Sequence, residues 1–308
     1  MRQRRQVSER PRMGVRHVQS PAKAPSAIQI RQVSPHPSLR RIVASFGERR
    51  ADFKSIHVIR ALNARPDQFM EFYFREPYLV REKGLGFSAT PTSVLVGVTS
   101  APGKDLGFVG QIETFTIRFQ PTGLARLFGL PMTETVDQGL ARSDVLQKQA
   151  PGLEAALAKS TRFEDRVAIA QAWIAGWLDQ SRPFDEVDQI ACLLAKTGGK
   201  VSISRLADRA GISARQVQRR FLRDVGVTPK FYGRLTRFDA ALAARHRSPL
   251  QTWAQIAAEA GYADEAHLSR EARALCGMTP QTFVENMQAI STFAVTGPEM
   301  SDLFKCAI

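Results

Sequence analysis

Short runs of β-branched and aromatic residues, separated by glycine and proline, dominate the chain between residues 32 and 149. The clearest runs are 68–74, 93–100 and 113–120. The last of them, ETFTIRFQ, alternates strictly. Its apolar face carries Phe115, Ile117 and Phe119, and its other face carries Thr114, Thr116 and Arg118. A period of two is typical of a strand, so the pattern predicts a small sandwich or barrel, closed by a short helix within 121–131.

The aromatic residues of this region have two interpretations. Phe72, Phe74, Phe115 and Phe119 could line a ligand pocket, but an ordinary hydrophobic core is the favoured hypothesis. A helical spacing follows further along the chain. Its apolar stripe consists of Val167, Ala170, Ile174, Trp177 and Leu178. The stripe predicts an amphipathic helix that packs into the core of its own domain, with a dimer seam as the alternative. Gly198 and Gly199 mark the predicted junction with the C-terminal block.

The C-terminal block contains a duplicated pattern. GVTPKFY begins at Gly226 and GMTPQTF at Gly277, an offset of 51 residues. The preceding residues repeat as well, because LADRAGIS from Leu206 aligns with IAAEAGYA from Ile256 at an offset of 50. About ten positions match in register, which indicates an internal duplication rather than chance.

The first copy has the pattern of two short helices joined by a glycine turn. Ser204 is the predicted N-cap of the first helix, Gly211 supplies the positive φ of the turn, and Ser213 caps the second helix. Val217 and Phe221 point inward at i and i+4. The outward set is Arg215, Gln216, Gln218, Arg219 and Arg223. Because Arg and Gln pair bidentately with guanine and adenine edges, this copy is predicted to be a helix-turn-helix.

The second copy is predicted to begin at a cap near Thr252, and Ala263–Asp264 opens its second helix. The outward residues of that helix are Glu265, His267, Ser269, Arg270 and Arg273, a less basic set. Between the copies, residues 230–248 predict one connecting helix of about sixteen residues, or roughly 24 Å. Successive major grooves on one face of DNA lie about 34 Å apart, so such a rod could place both copies on one side of a duplex.

The excess positive charge is concentrated at the N-terminus and in the duplicated C-terminal block. The chain of 308 residues has a formal net charge of +14, of which residues 1–31 carry +7 and residues 200–290 carry +6. A basic block beside a nearly neutral region is typical of a polyanion-binding module. The three cysteines are widely separated, and no apolar run of eighteen residues occurs, so we expect a cytoplasmic protein without a membrane span. Translation starts at Met1 or Met13; the sequence leaves both open.

The duplicated block resembles the AraC/XylS family of bacterial transcription regulators over residues 200–286. Ala266, Ala272 and Cys276 depart from the usual family residues. The resemblance implies two helix-turn-helix units joined by a long helix, with double-stranded DNA and RNA polymerase as partners. A small-molecule effector and a homodimer stay open. By position, the implied base-facing residues are Arg215, Gln216, Gln218 and Arg219 in the first unit, and Glu265, Ala266, His267 and Arg270 in the second. The stretch FTIRFQPTGLARLFGLPM more loosely resembles a sensor domain found in one branch of the family.

The predicted fold class is α+β. A disordered basic tail (1–31) precedes a β-rich sensor or dimerisation domain, cupin-like or a sandwich, with a helical C-terminal part (32–198). The all-α DNA-binding domain (199–290) and a C-terminal tail (291–308) follow. We expect a sequence-specific transcription regulator; the alternatives are a non-specific architectural protein or a cupin-like enzyme fused to a DNA-binding domain. His36 and His57 lack the spacing of a metal pair, and catalytic motifs are missing, so no enzyme activity, cofactor or metal is expected.

Overall fold

The N-terminal strands form two sheets in the computed structural model, which describes residues 28–54, 58–138, 152–291 and 295–296, with side chains up to residue 286. The strands are β1 (Ile28–Val33), β2 (Val43–Asp52), β3 (Val58–Ala61), β4 (Phe69–Tyr73), β5 (Leu79–Glu82), β6 (Ser88–Ala89), β7 (Ser93–Val96), β8 (Lys104–Phe108), β9 (Gln111–Phe119) and β10 (Val295–Thr296). The larger sheet has the order β10-β1-β2-β9-β4-β7, and the smaller has the order β3-β8-β5-β6. Among the described strands, β1 and β10 pair in parallel and the other pairs are antiparallel.

Both faces of the larger sheet are covered. On one face Phe115 and Ile117 of β9 pack with helices, and on the other Ile112 packs against the smaller sheet. The predicted alternation of β9 is therefore present, but Thr114 on the supposedly open face is also fully buried. The second sheet explains this difference, because a run in one strand does not reveal what covers its polar face. Phe72, Phe115 and Phe119 lie in the core, as the favoured hypothesis stated.

Three helices cover the face of the larger sheet that lies opposite the smaller sheet. They are α1 (Gly123–Phe128), α2 (Leu153–Ala158) and α3 (Phe163–Ala175). Ala170 and Ile174 of the predicted stripe are buried in the same core as β9, which favours the core interpretation over a dimer seam. The stripe was predicted too long, because α3 ends at Ala175 and Trp177 and Leu178 follow in a short 3-10 turn. Gly176, a weak helix former, stands at the end of the helix.

A buried arginine ties α3 to the sheet. The guanidinium of Arg166 lies 2.7 Å from the Glu113 carboxylate and 3.3 Å from that of Glu48, and it stacks 3.7 Å from the centre of the Phe74 ring. A buried cation is tolerated only when it is paired, and here two carboxylates from adjacent strands pair with it. This network fixes the helical layer on the sheet.

The remaining helices form one C-terminal bundle. They are α4 (Glu186–Lys196), α5 (Ile203–Arg209), α6 (Ala214–Val225), α7 (Pro229–Arg247), α8 (Trp253–Ala260), α9 (Glu265–Cys276) and α10 (Pro280–Ser291). Gly198 and Gly199 separate α4 from α5 with φ of 59° and 68°, as predicted for the junction. A Cβ on Gly199 would lie 2.1 Å from the Gly233 carbonyl oxygen, so α7 crosses the junction at backbone contact.

The two predicted tails fall mostly outside the described residues. Where they are described, residues 28–31 belong to β1, and residues 295–296 form β10 beside it. Within the described part of the chain, no helix combines the length and apolar character that crossing a membrane requires.

Candidate nucleic-acid interface

The first helix-turn-helix unit consists of α5 and α6. Gly211 takes a φ of 66° in the turn between them, as predicted. The predicted cap at Ser204 is wrong, because the hydroxyl of Ser202 accepts the backbone N–H of Arg205 and α5 begins one residue later. Serine is a favoured N-cap residue, so the residue type alone does not distinguish Ser202 from Ser204. Ser202 has the extended backbone that an N-cap adopts, whereas Ser204 already lies in the first turn.

The second helix of this unit, α6, presents a polar face to solvent. Val217 and Phe221 are fully buried in the core. The predicted outward residues are all exposed, namely Arg215, Gln216, Gln218, Arg219 and Arg223. Two neutral amides and three guanidinium groups on one helical face can donate to base edges and phosphates.

Two of these side chains are already engaged. The Gln216 side chain completes a capping box, in which its Oε1 accepts the Ser213 backbone N–H at 3.0 Å. The Arg223 guanidinium lies 2.6 Å from the buried Asp224 carboxylate, and this hydrogen bond raises the pKa of Arg223. Gln216 therefore has its amide nitrogen left for a base, and Arg223 is held toward the C-terminal end of α6. Within the described part of the chain, the side chains of Arg215, Gln218 and Arg219 form no such hydrogen bond.

The second unit, α8 and α9, repeats the first with small differences. Thr252 forms a capping box with Gln255, and Gly261 has a φ of 81°. Asp264 caps α9 by accepting the His267 backbone N–H at 2.6 Å. The predicted caps of this unit are confirmed, and the equivalent turn glycines show that the duplication in sequence is a duplication in structure.

The outer face of α9 is less open than that of α6. Glu265, Ala266 and Arg270 are exposed, whereas His267 and Ser269 are half-buried. The His267 ring packs edge-on against Tyr262, with 5.2 Å between ring centres. Among the family departures, Ala272 and Cys276 are buried in the bundle core.

The connecting helix α7 is longer than predicted. It runs for 19 residues, or about 28 Å, against the predicted sixteen. In the repeated GVTP phrase, Thr is the predicted N-cap of the following helix and Pro its predicted first-turn residue. Thr228 and Pro229 have these roles in α7. The difference lies at its ends, since Pro229 and the basic C-terminal residues are all helical. Arg234 of α7 binds Glu271 of α9 at 2.7 Å, which fixes the second unit on the rod.

Sequence reasoning missed an ionic cluster at the base of α6. Arg220 of α6 contacts Asp185, which also pairs with Arg182, and Arg182 lies 2.8 Å from the fully buried Asp188. Arg126 of α1 reaches the same Asp188 at 3.6 Å. These charges come from three separate segments of the chain. The only local signal is the capping pattern of Asp185 and Asp188 at the start of α4.

The histidines and cysteines considered as candidate ligands or reactive groups lie only partly within the described residues. Within the described ranges, no group of three or more His, Cys, Asp or Glu side chains could hold a metal ion. His36 hydrogen-bonds to Ser38 in a short turn, and His57 lies outside the described residues. Cys192 and Cys276 are buried and unpaired.

Two family models match separate parts of the chain. Residues 206–286 match the model of a helix-turn-helix domain, and residues 31–141 match a domain of unknown function (DUF6597). A search among curated proteins gives no match.

Solved structures with a similar fold include ToxT from Vibrio cholerae, at 11% identity and a TM-score of 0.44, over 86% of this chain and 99% of that chain. ToxT with a bound unsaturated fatty acid is similar at 12% identity and a TM-score of 0.43, over 78% of this chain and 94% of that chain. The AraC-like transcriptional activator CuxR is similar at 13% identity and a TM-score of 0.25, over 68% and 78%. Because these TM-scores lie below 0.5, the assignment rests on the helix-turn-helix match.

The duplicated unit and the matched domain define a DNA-binding transcription regulator. The helix-turn-helix match over residues 206–286 supports the resemblance to AraC/XylS regulators that the sequence indicates.

Proposed function

We propose that this regulator binds a specific DNA sequence by placing α6 and α9 in adjacent major grooves on one face of the duplex. The base-reading residues are Arg215, Gln216, Gln218 and Arg219 on α6, and Glu265, Ala266, His267 and Arg270 on α9. Arg223 and Ser269 flank them. Because His267 and Ser269 are half-buried, we expect Glu265, Ala266 and Arg270 to make most of the direct contacts of the second unit.

One observation carries this proposal: the same fold unit occurs twice, each time with the outer face of its second helix open. A helix of about 28 Å separates the units, and the helix diameters at its ends extend the span toward the groove repeat of about 34 Å. A protein that bound DNA through charge alone would not need planar Arg and Gln groups arranged on a single helix face.

The competing architectural function makes a different prediction for affinity. Selection from a random duplex library, followed by titration at fixed salt, gives the ratio of affinities for selected and random DNA. Sequence reading predicts a ratio of at least about 10³, and a ratio near one would establish the architectural alternative.

We further propose control by a small-molecule effector bound between the N-terminal domain and the DNA-binding domain. A cavity of about 290 Å³ lies there, lined among others by Arg118, Lys196, Asp239 and Arg247. An occupant would touch both α7 and the β-rich domain, so its binding would couple to their arrangement. Filling the cavity with Ala240→Trp should abolish the response to an effector while leaving basal DNA binding in place.

RNA polymerase as a partner, a homodimer and a cytoplasmic location stay predictions. A regulator of this type acts on chromosomal promoters, which is the reason for the first and the third. Sedimentation of the purified chain with and without operator DNA measures the second directly.

A further inference from the structure

A short segment of the N-terminal domain lies between the two helix-turn-helix units. Ala64 follows β3, and Val98 follows β7; they are 1% and 0% exposed and belong to the same core as the buried residues of α6, α8 and α9. We name residues 64–68 together with Val98 the wedge. The wedge is thus part of the DNA-binding core, although the sequence assigns it to the other domain.

The wedge donates a hydrogen bond to each recognition helix. The Ala64 backbone N–H binds the Leu275 carbonyl oxygen of α9 at 2.7 Å. The Gln68 side-chain Nε2 binds the Val225 carbonyl oxygen of α6 at 3.1 Å. Both acceptors lie in the last turn of their helices, where carbonyl groups have no partner within the helix. Two equivalent ends of the duplicated units are therefore held by one segment of five residues.

The wedge is itself held firmly by the sheet behind it. Arg65 and Thr99 exchange backbone hydrogen bonds of 2.8 and 3.1 Å, and the Asp67 carboxylate lies 2.5 Å from the Arg118 guanidinium. The Gln68 carbonyl oxygen accepts the Phe119 backbone N–H at 2.9 Å. The two contacts to the recognition helices are thus made from a stiff support, while the outer face of α6 remains exposed.

The connecting helix holds the second unit from the other side. Buried residues of α7, α8 and α9 share one core, and Arg234 of α7 pairs with Glu271 of α9 at 2.7 Å. The second unit is thus held by both α7 and the wedge.

We propose that the wedge sets the separation and orientation of the two recognition helices, with Gln68 as a positioning residue for the spacing between DNA half-sites. This inference rests on the proposed reading of two grooves. A fixed separation makes binding strict about spacing, because an added base pair moves one half-site along and around the duplex axis.

The test compares Gln68→Met, which keeps the side-chain length and removes the donor, with the exposed control Gln111→Met. Full-length proteins carry spin labels at the equivalent positions Asp208→Cys and Ala258→Cys, with Cys306→Ser to prevent labelling of the tail. We expect the distance between the two spin labels to have one narrow distribution in the parent and in the control. In Gln68→Met we expect this distribution to be broadened or shifted. Adding Val98→Ala should broaden it further. Gln68→Ala serves as a second variant if Gln68→Met fails to fold.

The same proteins are then titrated with selected sites carrying zero, one or two inserted base pairs between half-sites. The parent should lose at least about tenfold in affinity on insertion, Gln68→Met should lose less than about threefold, and both should bind an isolated half-site equally. Identical distance distributions and spacing profiles in the parent and Gln68→Met would overturn the inference. If the parent selects no sequence, the proposed function fails, and the distance measurement still decides whether the wedge positions the helices.

Discussion

The outward side chains of the two recognition helices differ in how freely they can meet a base. Arg219 and Arg270 occupy equivalent positions of the duplicated unit and are both exposed. Gln216 is partly engaged in a cap, and His267 packs on Tyr262. The sequence predicted which residues face outward, because helical periodicity determines a face. It did not predict these engagements, since they depend on side-chain contacts across a turn.

We therefore expect Arg219→Ala and Arg270→Ala each to weaken binding to the selected site by about 1–3 kcal/mol and to relax the base preference locally. The reason is the loss of a bidentate donor at a base edge. Repeating the library selection with each variant measures both effects, and Arg40→Ala, on the exposed surface of the N-terminal domain, is the matched control. An equal loss of affinity for every sequence would identify the two arginines as phosphate contacts.

Asp239 of α7 makes the stability of the molecule depend on pH. Burial, together with the neighbouring Asp67 carboxylate, raises the pKa of Asp239 to about 8, although Arg118 and Arg65 oppose the shift. In the unfolded chain the group titrates near 3.8, so between about pH 4 and pH 8 the folded state binds more protons than the unfolded state. This group should therefore make the free energy of unfolding fall as the pH rises through that window.

Asp239→Asn should remove this part of the slope and raise the melting temperature at pH 8 by several degrees, at roughly 2–4 °C for each kcal/mol gained. Thermal unfolding at pH 5 and pH 8 measures the difference, with the exposed Asp208→Asn as control. A gain that is equal at both pH values would show that Asp239 does not titrate in this window.

At the scale of the elements, caps and turn glycines were predicted well because their chemistry is local. Gly211, Ser213, Thr228 and Thr252 all have the predicted roles. The errors occurred where two local solutions compete or where distant packing decides. Ser202 replaced Ser204 as a cap, and the connecting helix was predicted too short. The burial of Thr114 depends on a second sheet that no single strand can reveal.

The turn glycines give an internal comparison between two kinds of constraint. Gly211→Ala should cost about 1 kcal/mol of unfolding free energy, because the positive φ is strained but a Cβ there meets nothing within 4 Å. Gly199→Ala should cost clearly more, since the same strain is joined by a clash with the Gly233 backbone. Urea unfolding of both variants measures the order, and equal losses would refute the close crossing of α7.

At the scale of the whole molecule, the contacts between the domains were beyond sequence reasoning. The duplicated repeat identified the DNA-binding module from matched positions 50 and 51 residues apart. Nothing comparable links Ala64 to Leu275 or Arg126 to Asp188, because these pairs are defined by packing between distant segments. The duplicated module is readable in the sequence, whereas its contacts with the rest of the molecule are a property of the folded chain.

The buried Asp188 offers the sharpest test of that joint. It is the shared partner of Arg126 from the N-terminal domain and Arg182 from the segment before α4, and it is fully buried. Asp188→Asn removes the charge partner of Arg126 and one of the charge partners of Arg182, which should cost about 3 kcal/mol or more. Because the wedge and this cluster join the domains at separate places, we expect the parent chain to melt in one calorimetric transition. The variant should melt at a lower temperature, and the single calorimetric transition should begin to divide into two, one for each domain.

The exposed Asp179→Asn is the control and should melt like the parent. If Asp188→Asn also melted like the parent, the domains would be held together without this cluster.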